Sequence, residues 1–296
     1  MTSQLRGFRL PPGAPVLLHT SLRKLGLGRS GAPALYQALL QHANDQGSAV
    51  VTPSFTYDCE DPAAWLESPP SPELLAERQA STPPYDRLAS PVHRELGYMP
   101  EYVRSQPGSH RSNHPVLSFA AFGPHATEAV ARQRLHFPLG TQSPLGWLCD
   151  QQGVVLMIGT DLTTMTLIHL AETTTPTSYV RATCRRVRSA AGWVWYWGAP
   201  SSCSDGFTKA AAALERATLA RGKLGAAETC VVSAADLVES IRGKLISDPA
   251  WLLCDRPGCR GCGLARQYLA GEIDHIISGD LNVGDNLPPD QPLVGW

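Results

Sequence analysis

The stretch Ala14–Ala43, APVLLHTSLRKLGLGRSGAPALYQALLQHA, contains the pattern that decides the fold class. Its apolar residues Val16 to Leu18 predict a buried strand, and the polar segment 19–26, HTSLRKLG, predicts a loop. Residues 32–43 follow a glycine and predict a helix with three leucines on one face, namely Leu35, Leu39 and Leu40. A second apolar run, GSAVVTPSFTYD, predicts a strand parallel to the first, because a helix connects the two.

Apolar runs and helical patterns alternate along the rest of the chain as well. Further strands are predicted in HPVLSFAAFG, GVVLMIG and ETCVVSA, and a hairpin in RATCRRVRSAAGWVWYWGAP with its turn at Ala190 to Gly192. Helices are predicted in LGYMPEYVRSQPG, at 207–225 and, as the last one, in ADLVESIRGKLISDP. Strands that alternate with helices are typical of the α/β class, in which ligands bind beyond the carboxyl ends of the strands.

Composition divides the chain into a principal domain, residues 1–250, and a carboxyl-terminal extension, residues 251–296. Within the first, residues 58–90 are rich in proline, serine and glutamate and predict an irregular insertion with one short helix at Ser71 to Gln79. Long irregular segments inside a compact domain are often lids or binding loops. We therefore expect this insertion to act as a lid over the substrate.

Charge and hydropathy limit the function classes. The 296 residues carry 25 lysines and arginines against 26 aspartates and glutamates, which disfavours a nucleic acid or an anionic membrane as partner. The start of the chain has no apolar core of signal-peptide length, and no window approaches the roughly 18 apolar residues that span a bilayer. We therefore expect a cytoplasmic protein whose eight cysteines are reduced or bind a metal.

His169 and Glu172 lie close together in IGTDLTTMTLIHLAE, directly after the predicted strand GVVLMIG. Residues at this spacing share one face of a helix, so the carboxylate can hold one ring nitrogen and leave the other as a base. An imidazole with its pKa near 6.5 is suited to removing a proton at neutral pH, and a paired carboxylate raises its basicity. The same spacing fits a buried structural histidine beside a solvated glutamate.

Glycines and Ser30 precede the first long helix in GLGRSGAPALYQALL. Exposed N–H groups and the helix dipole favour an anion at such an entrance, and Arg23, Lys24 and Arg29 add positive charge. The stretch lacks the P-loop pattern G-x4-G-K-[ST], and we do not expect it to be the dinucleotide pattern G-x-G-x-x-G either. It indicates either a phosphate site or an ordinary turn.

Three cysteines in CDRPGCRGC have the spacing C-x4-C-x2-C; they are Cys254, Cys259 and Cys262. Thiolates separated by glycine and proline resemble a zinc knuckle, but a tetrahedral site needs a fourth ligand. The candidates for that ligand are His275, Cys203 and Cys230, none of which lies at a motif spacing. The alternatives are a structural zinc ion and free thiols.

Acidic residues follow the second predicted strand at Asp58, Glu60 and Asp61. Such a loop is either a solvated surface or a binding site for a cationic substrate.

Five blocks, taken in order, resemble the aminoglycoside 3-N-acetyltransferase family, the antibiotic N-acetyltransferases unrelated to the GNAT fold. The blocks are LLHTSLRKLG, VTPSFTYD, GYMPEYVRSQPGSHRSNHPVLSFAAFGPHA, SPLGWLCDQQGVVLMIGTDLTTMTLIHLAE and GKLGAAETCVVSAADLVE. They extend from about Pro15 to Leu245. The resemblance implies a mixed β-sheet flanked by helices, acetyl-CoA as acyl donor, and an amine as acceptor.

The resemblance also implies roles for particular residues. His169 matches the family's catalytic histidine, and Glu172 matches the acidic residue of the same block. Tyr57 and Asp58 are expected to contact the amine substrate. The segments that match the donor site imply a set of CoA-binding residues: Thr20, Ser21, Leu22, Arg23, Lys24, Gly26, Arg29, Ser30, Gly31, Ser112, His114 and Ser143.

The expected reaction is direct transfer of the acetyl group from the thioester to the amine. His169 would take the proton of the attacking amine, and loop N–H groups or the hydroxyls of Thr20 and Ser21 would stabilise the oxyanion. We expect the 3-amino group of a 2-deoxystreptamine aminoglycoside as acceptor, in an antibiotic-resistance enzyme for which a homodimer is the candidate assembly. The insertion 58–90 contains few acids for a polycation, so the alternative is a biosynthetic N-acyltransferase with another amine or acyl donor.

Two further functions compete with acyl transfer. A non-catalytic binding protein could use the same fold, with the cysteine-bearing extension for contacts. A hydrolase could use the same histidine on a thioester or an amide.

Overall fold

The computed structural model describes residues 1–64, 71–201 and 203–278. The strands of its larger sheet are β1 (Val16–Thr20), β2 (Val50–Pro53), β3 (His110–Arg111), β4 (Phe119–Phe122), β5 (Val154–Ile158), β8 (Thr218–Leu224) and β9 (Ala227–Ser233). The smaller sheet contains β6 (Thr183–Ser189), β7 (Gly192–Trp197) and β10 (Ile276–Ser278). The larger sheet has seven strands in the order β3-β4-β2-β1-β5-β9-β8, and the smaller has three in the order β10-β6-β7.

The middle of the large sheet is parallel. β1 pairs in parallel with β2 on one side and with β5 on the other. In the pairing with β5, Val16 lies opposite Val154 and Thr20 lies opposite Ile158. β4 and β9 are antiparallel to their inner neighbours, β2 and β5. The predicted strand–helix–parallel strand unit and the mixed sheet are therefore both confirmed.

Helices cover both faces of this sheet. The α-helices of the described residues are α1 (Thr2–Arg6), α2 (Ala32–Gln46), α3 (Pro72–Ser81), α4 (Tyr98–Ser105), α5 (Ala126–Ala131), α6 (Pro144–Asp150), α7 (Ile168–Thr174), α8 (Ala211–Ala217), α9 (Ala234–Ser247) and α10 (Arg260–Leu269). Val16 and Leu18 pack with α1, α2 and α4, whereas Leu17 packs on the opposite face with α5, α6, α7 and α9. Burial on both faces explains why β1 and β5 are continuous apolar runs rather than alternating ones.

The small sheet is joined to the large one by buried charges. Arg185 of β6 lies 3.2 Å from the Glu60 carboxylate, which also accepts a 2.9 Å hydrogen bond from the Tyr196 hydroxyl. Arg186 lies 2.6 Å from Asp61. The predicted hairpin is confirmed, with Ser189 opposite Gly192 at its turn. Glu60 and Asp61, predicted as an acidic loop, are thus neither solvated nor available to a cationic ligand.

Two helix predictions near the carboxyl terminus were wrong. The helix expected at 207–225 ends at Ala217, and its second half, Thr218–Leu224, is β8. The turn at Gly225 lets this segment fold back and pair with β9. The hydrogen bonds of that pairing outweigh the helix propensity of this half-exposed segment. α9 is not the last helix, because Arg260–Leu269 forms α10 within the cysteine-bearing segment.

The described parts of the predicted insertion contain short helices: the 3-10 helices Tyr57–Cys59 and Pro62–Ala64, and one α-helix. The helix predicted at Ser71 to Gln79 is α3, which begins after Ser71, whose hydroxyl accepts the Leu74 N–H. Residues 65–70 and 279–296, parts of the predicted insertion and extension, lie outside the described residues. The domain boundary at residue 250 and the lid role of the insertion stay predictions. Within the described ranges, no helix has the length and apolar character needed to cross a membrane.

Replacing Arg185 with Met should destabilise the fold by roughly 3 kcal/mol, because it leaves the Glu60 carboxylate buried without its cation. Chemical denaturation of the wild type and the variant measures the difference. Arg188→Met, on the same strand but half-buried, is the matched control and should change stability by less than about 1 kcal/mol. Equal effects of the two substitutions would contradict a special role for the buried pair.

Candidate active site

A cleft of about 690 Å³ opens at the carboxyl edge of the large sheet, where β1, β2 and β5 end. Its described lining comes from four stretches of chain: 18–23 with 28 and 29, 52–57, 94–100, and 160–166. Because the three strands are parallel, the loops that leave them meet at this edge, as expected for α/β sheets. The loops predicted to converge therefore do so.

The loop after β1 is fixed to β5 by its backbone. The Ser21 N–H donates to the Ile158 carbonyl over 2.8 Å, and the Ser21 hydroxyl accepts the Lys24 N–H over 3.4 Å. Gly26 and Gly28 have φ angles of +86° and +56°, which glycine adopts without strain. The chain then forms a short 3-10 helix, Gly28–Gly31, that leads into α2.

The expectation that this loop lacks the dinucleotide pattern was wrong as to spacing, because Gly26, Gly28 and Gly31 form G-x-G-x-x-G. A Cβ on Gly31 would lie 2.3 Å from the Leu27 Cβ, so the last glycine is required by close packing. The pattern starts at Gly26, well after β1 ends at Thr20, whereas a dinucleotide fingerprint follows its strand directly. The loop is therefore not a Rossmann-type turn.

Only some of the predicted CoA-binding residues line the cleft. Those in the described lining are Thr20, Ser21, Leu22, Arg23 and Arg29, and the guanidinium of Arg29 stacks 5.1 Å above the Tyr98 ring. Lys24, Gly26, Ser30 and Gly31 belong to the same loop without lining it, and the Ser30 hydroxyl donates to the Leu27 carbonyl.

Three other predicted CoA-binding residues are buried within the fold, and the described lining does not include them. Ser112 donates to the Gln133 side chain over 2.5 Å and accepts the Phe119 N–H over 2.8 Å. Nδ1 of His114 accepts the Leu117 N–H over 2.9 Å, and burial lowers the pKa of this histidine to about 3. Ser143 caps α6. Their hydrogen bonds join segments of the protein to one another.

Three buried polar atoms at the strand ends have no hydrogen-bond partner among the described residues: His19 Nε2, Thr20 Oγ1 and Thr160 Oγ1. All three residues line the cleft, and Thr20 lies on β1 beside the end of β5. Burial lowers the pKa of His19 to about 4, so its ring is neutral at physiological pH. Buried polar groups are normally hydrogen-bonded, so these atoms are candidates for contact with a polar ligand.

His169 and Glu172 form a short hydrogen bond on α7. Nδ1 of His169 lies 2.6 Å from Oε2 of Glu172, whose side chain is only 1% exposed. Oε1 of the same carboxylate accepts the Tyr179 hydroxyl over 2.5 Å, and the ring of Phe207 contacts the imidazole edge-on at 5.0 Å. The arrangement leaves Nε2 of His169 as the nitrogen that Glu172 does not engage. The pair therefore has the geometry of a base with a buried orienting carboxylate.

The described lining of the cleft does not include His169 or Glu172, which follow it in the chain. The loop from β5 to α7 contributes Thr164 and Thr166 to the lining, and the Thr166 carbonyl accepts the His169 N–H over 3.1 Å. Sequence reasoning identified the histidine and the glutamate but missed Tyr179 and Phe207. No local spacing connects either aromatic residue to His169, so the sequence carries no signal for them. His19 and Thr160, by contrast, stand at strand ends and could have been found there.

Of the two residues expected to contact substrate, Tyr57 lines the cleft, and Asp58 is outside its described lining. Tyr57 lines the cleft beside the ring of His93, with the ring centroids 5.2 Å apart, and burial raises the pKa of its hydroxyl. Asp58 is 60% exposed, and its carboxylate lies 3.9 Å from His93. Glu95 is the one carboxylate in the described lining.

The three cysteines of CDRPGCRGC lie close to one of the three candidates for a fourth zinc ligand, Cys203. The Sγ atoms of Cys203, Cys254, Cys259 and Cys262 all lie within 4.8 Å of one another. The other two candidates lie elsewhere: Cys230 is on β9, opposite Met157, and the ring of His275 packs edge-on against Trp197 at 5.3 Å.

A family model for aminoglycoside 3-N-acetyltransferases matches residues 17–245. The chain is 37% identical over 172 residues to the prophage-derived aminoglycoside N(3')-acetyltransferase-like protein YokD of Bacillus subtilis (strain 168). It is 33% identical over 177 residues to aminoglycoside N(3)-acetyltransferase VII of Streptomyces paromomycinus. Each match covers 58% of this chain, and they cover 63% and 58% of the two relatives. The chain thus spans less than two thirds of the length of these curated relatives.

Solved structures share the fold along most of the chain. YokD from Bacillus subtilis aligns with a TM-score of 0.71 at 30% identity, covering 83% of this chain and 97% of that one. A mutant of aminoglycoside acetyltransferase AAC(3)-IVa in complex with a gentamicin aligns with a TM-score of 0.71 at 27% identity, covering 90% and 95%. AAC-IIIb, in a binary complex with CoASH, aligns with a TM-score of 0.66 at 26% identity, covering 83% and 94%.

The neutral, buried state of His19 predicts a pH-dependent contribution to stability. With its pKa lowered from 6.5 to about 4, the unfolded chain binds the proton more readily than the folded one. As the pH falls from 6.5 to 4, the free energy of unfolding of the wild type should therefore decrease by roughly 3 kcal/mol relative to that of His19→Gln. Above pH 6.5 the difference between the two proteins should not change with pH.

Urea denaturation at several pH values measures this difference, with His110→Gln at an exposed histidine as the control. Parallel stability curves for His19→Gln and the wild type would show that the folded protein accepts a proton at His19 as easily as the unfolded chain.

Proposed function

This chain belongs to the aminoglycoside 3-N-acetyltransferase family, and on that premise we propose that it moves the acetyl group of acetyl-CoA to an amine, first of all the 3-amino group of a 2-deoxystreptamine aminoglycoside. The observation that carries the proposal is the pair His169–Glu172, held 2.6 Å apart on α7, directly after the loop whose residues Thr164 and Thr166 line the cleft. The relatives solved with a gentamicin and with CoASH support the two substrate classes.

His169 is the proposed general base. A protonated amine has no free electron pair, so the acceptor reacts as the neutral amine, after its first proton has passed to solvent. Nε2 then takes a second proton from the nitrogen as it attacks the thioester carbonyl. The buried Glu172 carboxylate accepts Nδ1–H, fixes the ring and stabilises the imidazolium. When the tetrahedral intermediate collapses, the carbon–sulfur bond breaks and the proton passes from His169 to the departing thiolate. The transfer needs no covalent enzyme intermediate.

The polar atoms at the strand ends are the proposed site for the thioester oxygen. The hydroxyls of Thr20 and Thr160, which have no partner among the described residues, can each donate a hydrogen bond there, and the Ser21 hydroxyl lies on the same loop. Fixed donors aimed at a developing oxyanion typically contribute 10²- to 10³-fold to the rate. The neutral ring of His19 adds a polar contact without adding charge.

The loop after β1 is the proposed site for the phosphates of CoA. Arg23 and Arg29 line the cleft, and Lys24 is close by on the same loop. The 3-10 helix Gly28–Gly31 and the start of α2 point their N–H groups toward this end of the loop. Ser112, His114 and Ser143 support the cleft from within the fold rather than contact the donor.

The charge of the acceptor site favours a second candidate beside the aminoglycoside. Glu60 and Asp61 are neutralised by arginines, which leaves Glu95 in the described lining and the exposed Asp58 near it. A polycation is normally recognised by several carboxylates. An amine with a single charge, as in a biosynthetic intermediate, is therefore the alternative acceptor.

Three further expectations from the sequence belong to the proposal. The three cysteines of CDRPGCRGC hold a structural zinc ion, supported by the cluster that they form with Cys203. The enzyme works in the cytoplasm, and it forms a homodimer.

Replacing His169 with Asn should lower the rate of acetyl transfer by 10²- to 10⁴-fold, the usual contribution of a general base. Thiol release from acetyl-CoA is followed with gentamicin, sisomicin and a panel of small monoamines, and His125→Asn at an exposed histidine is the control. Activity with the aminoglycosides supports the first acceptor, and activity with a monoamine alone supports the second. Thiol release without any amine would identify a hydrolase, and full activity of His169→Asn would overturn the base assignment.

Arg23→Gln should raise the KM for acetyl-CoA about tenfold and leave kcat unchanged, because loss of one phosphate contact corresponds to about 1.4 kcal/mol. A short acetyl-pantetheine donor, which lacks the nucleotide, should show no difference between the variant and the wild type. Arg132→Gln, at an exposed arginine outside the described lining, is the control. A loss with the short donor as large as with acetyl-CoA would place Arg23 away from the phosphates.

A further inference from the structure

We infer that Cys203 is the fourth ligand of a zinc site formed with the three cysteines of CDRPGCRGC, and that this metal site holds the pair His169–Glu172 in position. The assignment of the metal rests on the cysteines alone. The positioning role rests on the proposed function, since it concerns the proposed base.

The four thiols have the arrangement that tetrahedral zinc requires. Their Sγ atoms lie within 4.8 Å of one another, and the corresponding separation in a four-thiolate zinc site, with Zn–S bonds of about 2.3 Å, is about 3.8 Å. Binding of zinc would therefore require the four sulfur atoms to approach one another by about 1 Å at most. Four protein ligands leave no open position, which is typical of structural rather than catalytic zinc.

The backbone around the cluster supports thiolates. The Cys254 N–H points at the Cys262 sulfur over 3.3 Å, a contact that stabilises negative charge on a ligand. The turn between Cys254 and Cys259 contains Gly258, whose φ of +75° lets the chain fold back. The last ligand, Cys262, lies in the first turn of α10. Cys203 reaches the cluster from the distant loop after β7 and thereby ties two parts of the chain together.

The cluster lies under the segment that contains Tyr179. This tyrosine is 3% exposed and belongs to a small apolar cluster with Leu253, Ala265 and the ligand cysteines. Its hydroxyl donates to Glu172 over 2.5 Å, so the position of the Tyr179 ring sets the position of the carboxylate. An apolar cluster this small is a weak support by itself, and a bound metal adds free energy of folding to it.

A second connection runs from Cys203 through the next turn to Phe207. A Cβ on Gly206 would lie 2.0 Å from the Leu252 carbonyl oxygen and 2.9 Å from the Cys254 nitrogen, so these two segments are in direct contact. Phe207 follows at once, and its ring packs edge-on against the imidazole of His169. The metal site therefore lies next to both aromatic residues that hold the catalytic pair.

Metal analysis of the full chain, purified without chelator, tests the site directly. We expect one zinc per chain in the wild type and in Cys230→Ser, and a loss of zinc affinity of at least about 100-fold in Cys203→Ser. Cys230→Ser is the matched control, because Cys230 is a half-buried cysteine outside the cluster. The expected loss exceeds the 10- to 100-fold that removal of a partner beyond the ligands usually causes.

A measurement on the wild type covers the case in which Cys203→Ser does not fold. Titration of the native protein with an organomercurial should release one equivalent of zinc, detected by a metallochromic dye. Iron in place of zinc, unchanged zinc in a folded Cys203→Ser, or fewer than eight free thiols after denaturation without reductant would overturn the site. The last result would indicate disulfides.

Proton NMR tests the positioning role without using activity. The short His169–Glu172 hydrogen bond should give a strongly downfield Nδ1–H signal, identified by its absence in His169→Asn. We expect this signal to be unchanged in Cys230→Ser, and to shift or broaden in zinc-depleted protein and in Tyr179→Phe, which retains zinc. An unchanged signal after zinc loss would overturn the positioning role. Failure of the proposed function would appear separately, as acetyl transfer that persists in His169→Asn.

Discussion

The parallel pairing of β1 with β5 is the constraint on which the rest of the structure depends. Both strands are buried on both faces, so their registers cannot slip without exposing apolar side chains or moving Thr20 away from Ile158. The Ser21 N–H extends the ladder by one hydrogen bond to the Ile158 carbonyl. The loop after β1 and the loop that leads to α7 therefore start side by side, and the cleft lies where they diverge.

Buried ion pairs attach the small sheet to the large sheet. They also determine which carboxylates can face the amine acceptor. Glu60 and Asp61 follow β2 closely, at the edge where a substrate carboxylate would be expected, yet Arg185 and Arg186 of β6 neutralise both. Both ion pairs are buried. Removing one partner therefore lowers the free energy of unfolding by far more than the intact pair contributes to it. These acids therefore stabilise the fold, and the carboxylates proposed to face the acceptor are Glu95 and Asp58.

Local patterns predicted the elements that local forces determine. The apolar run of β1, the leucine face of α2 and the spacing of His169 and Glu172 all appear in short windows of sequence and were interpreted correctly as strand, helix and adjacent side chains. Features that depend on distant partners were missed. β8 is a strand because β9 lies beside it, and Glu60 is buried because Arg185, more than a hundred residues later, neutralises it. Cys203 could be only one candidate among three until the fold brought it to the cluster.

The pair His169–Glu172 shows why a short sequence motif does not describe a complete site. Helical spacing brings Nδ1 of His169 to one oxygen of Glu172, but a carboxylate that is 1% exposed needs a partner for its other oxygen as well. Tyr179 supplies it, and the hydrogen bond raises the pKa of this hydroxyl further above its usual range, after burial itself. Because Tyr179 packs on the cysteine-bearing segment and not on the central sheet, the orientation of the proposed base depends on a part of the chain that the catalytic motif does not include.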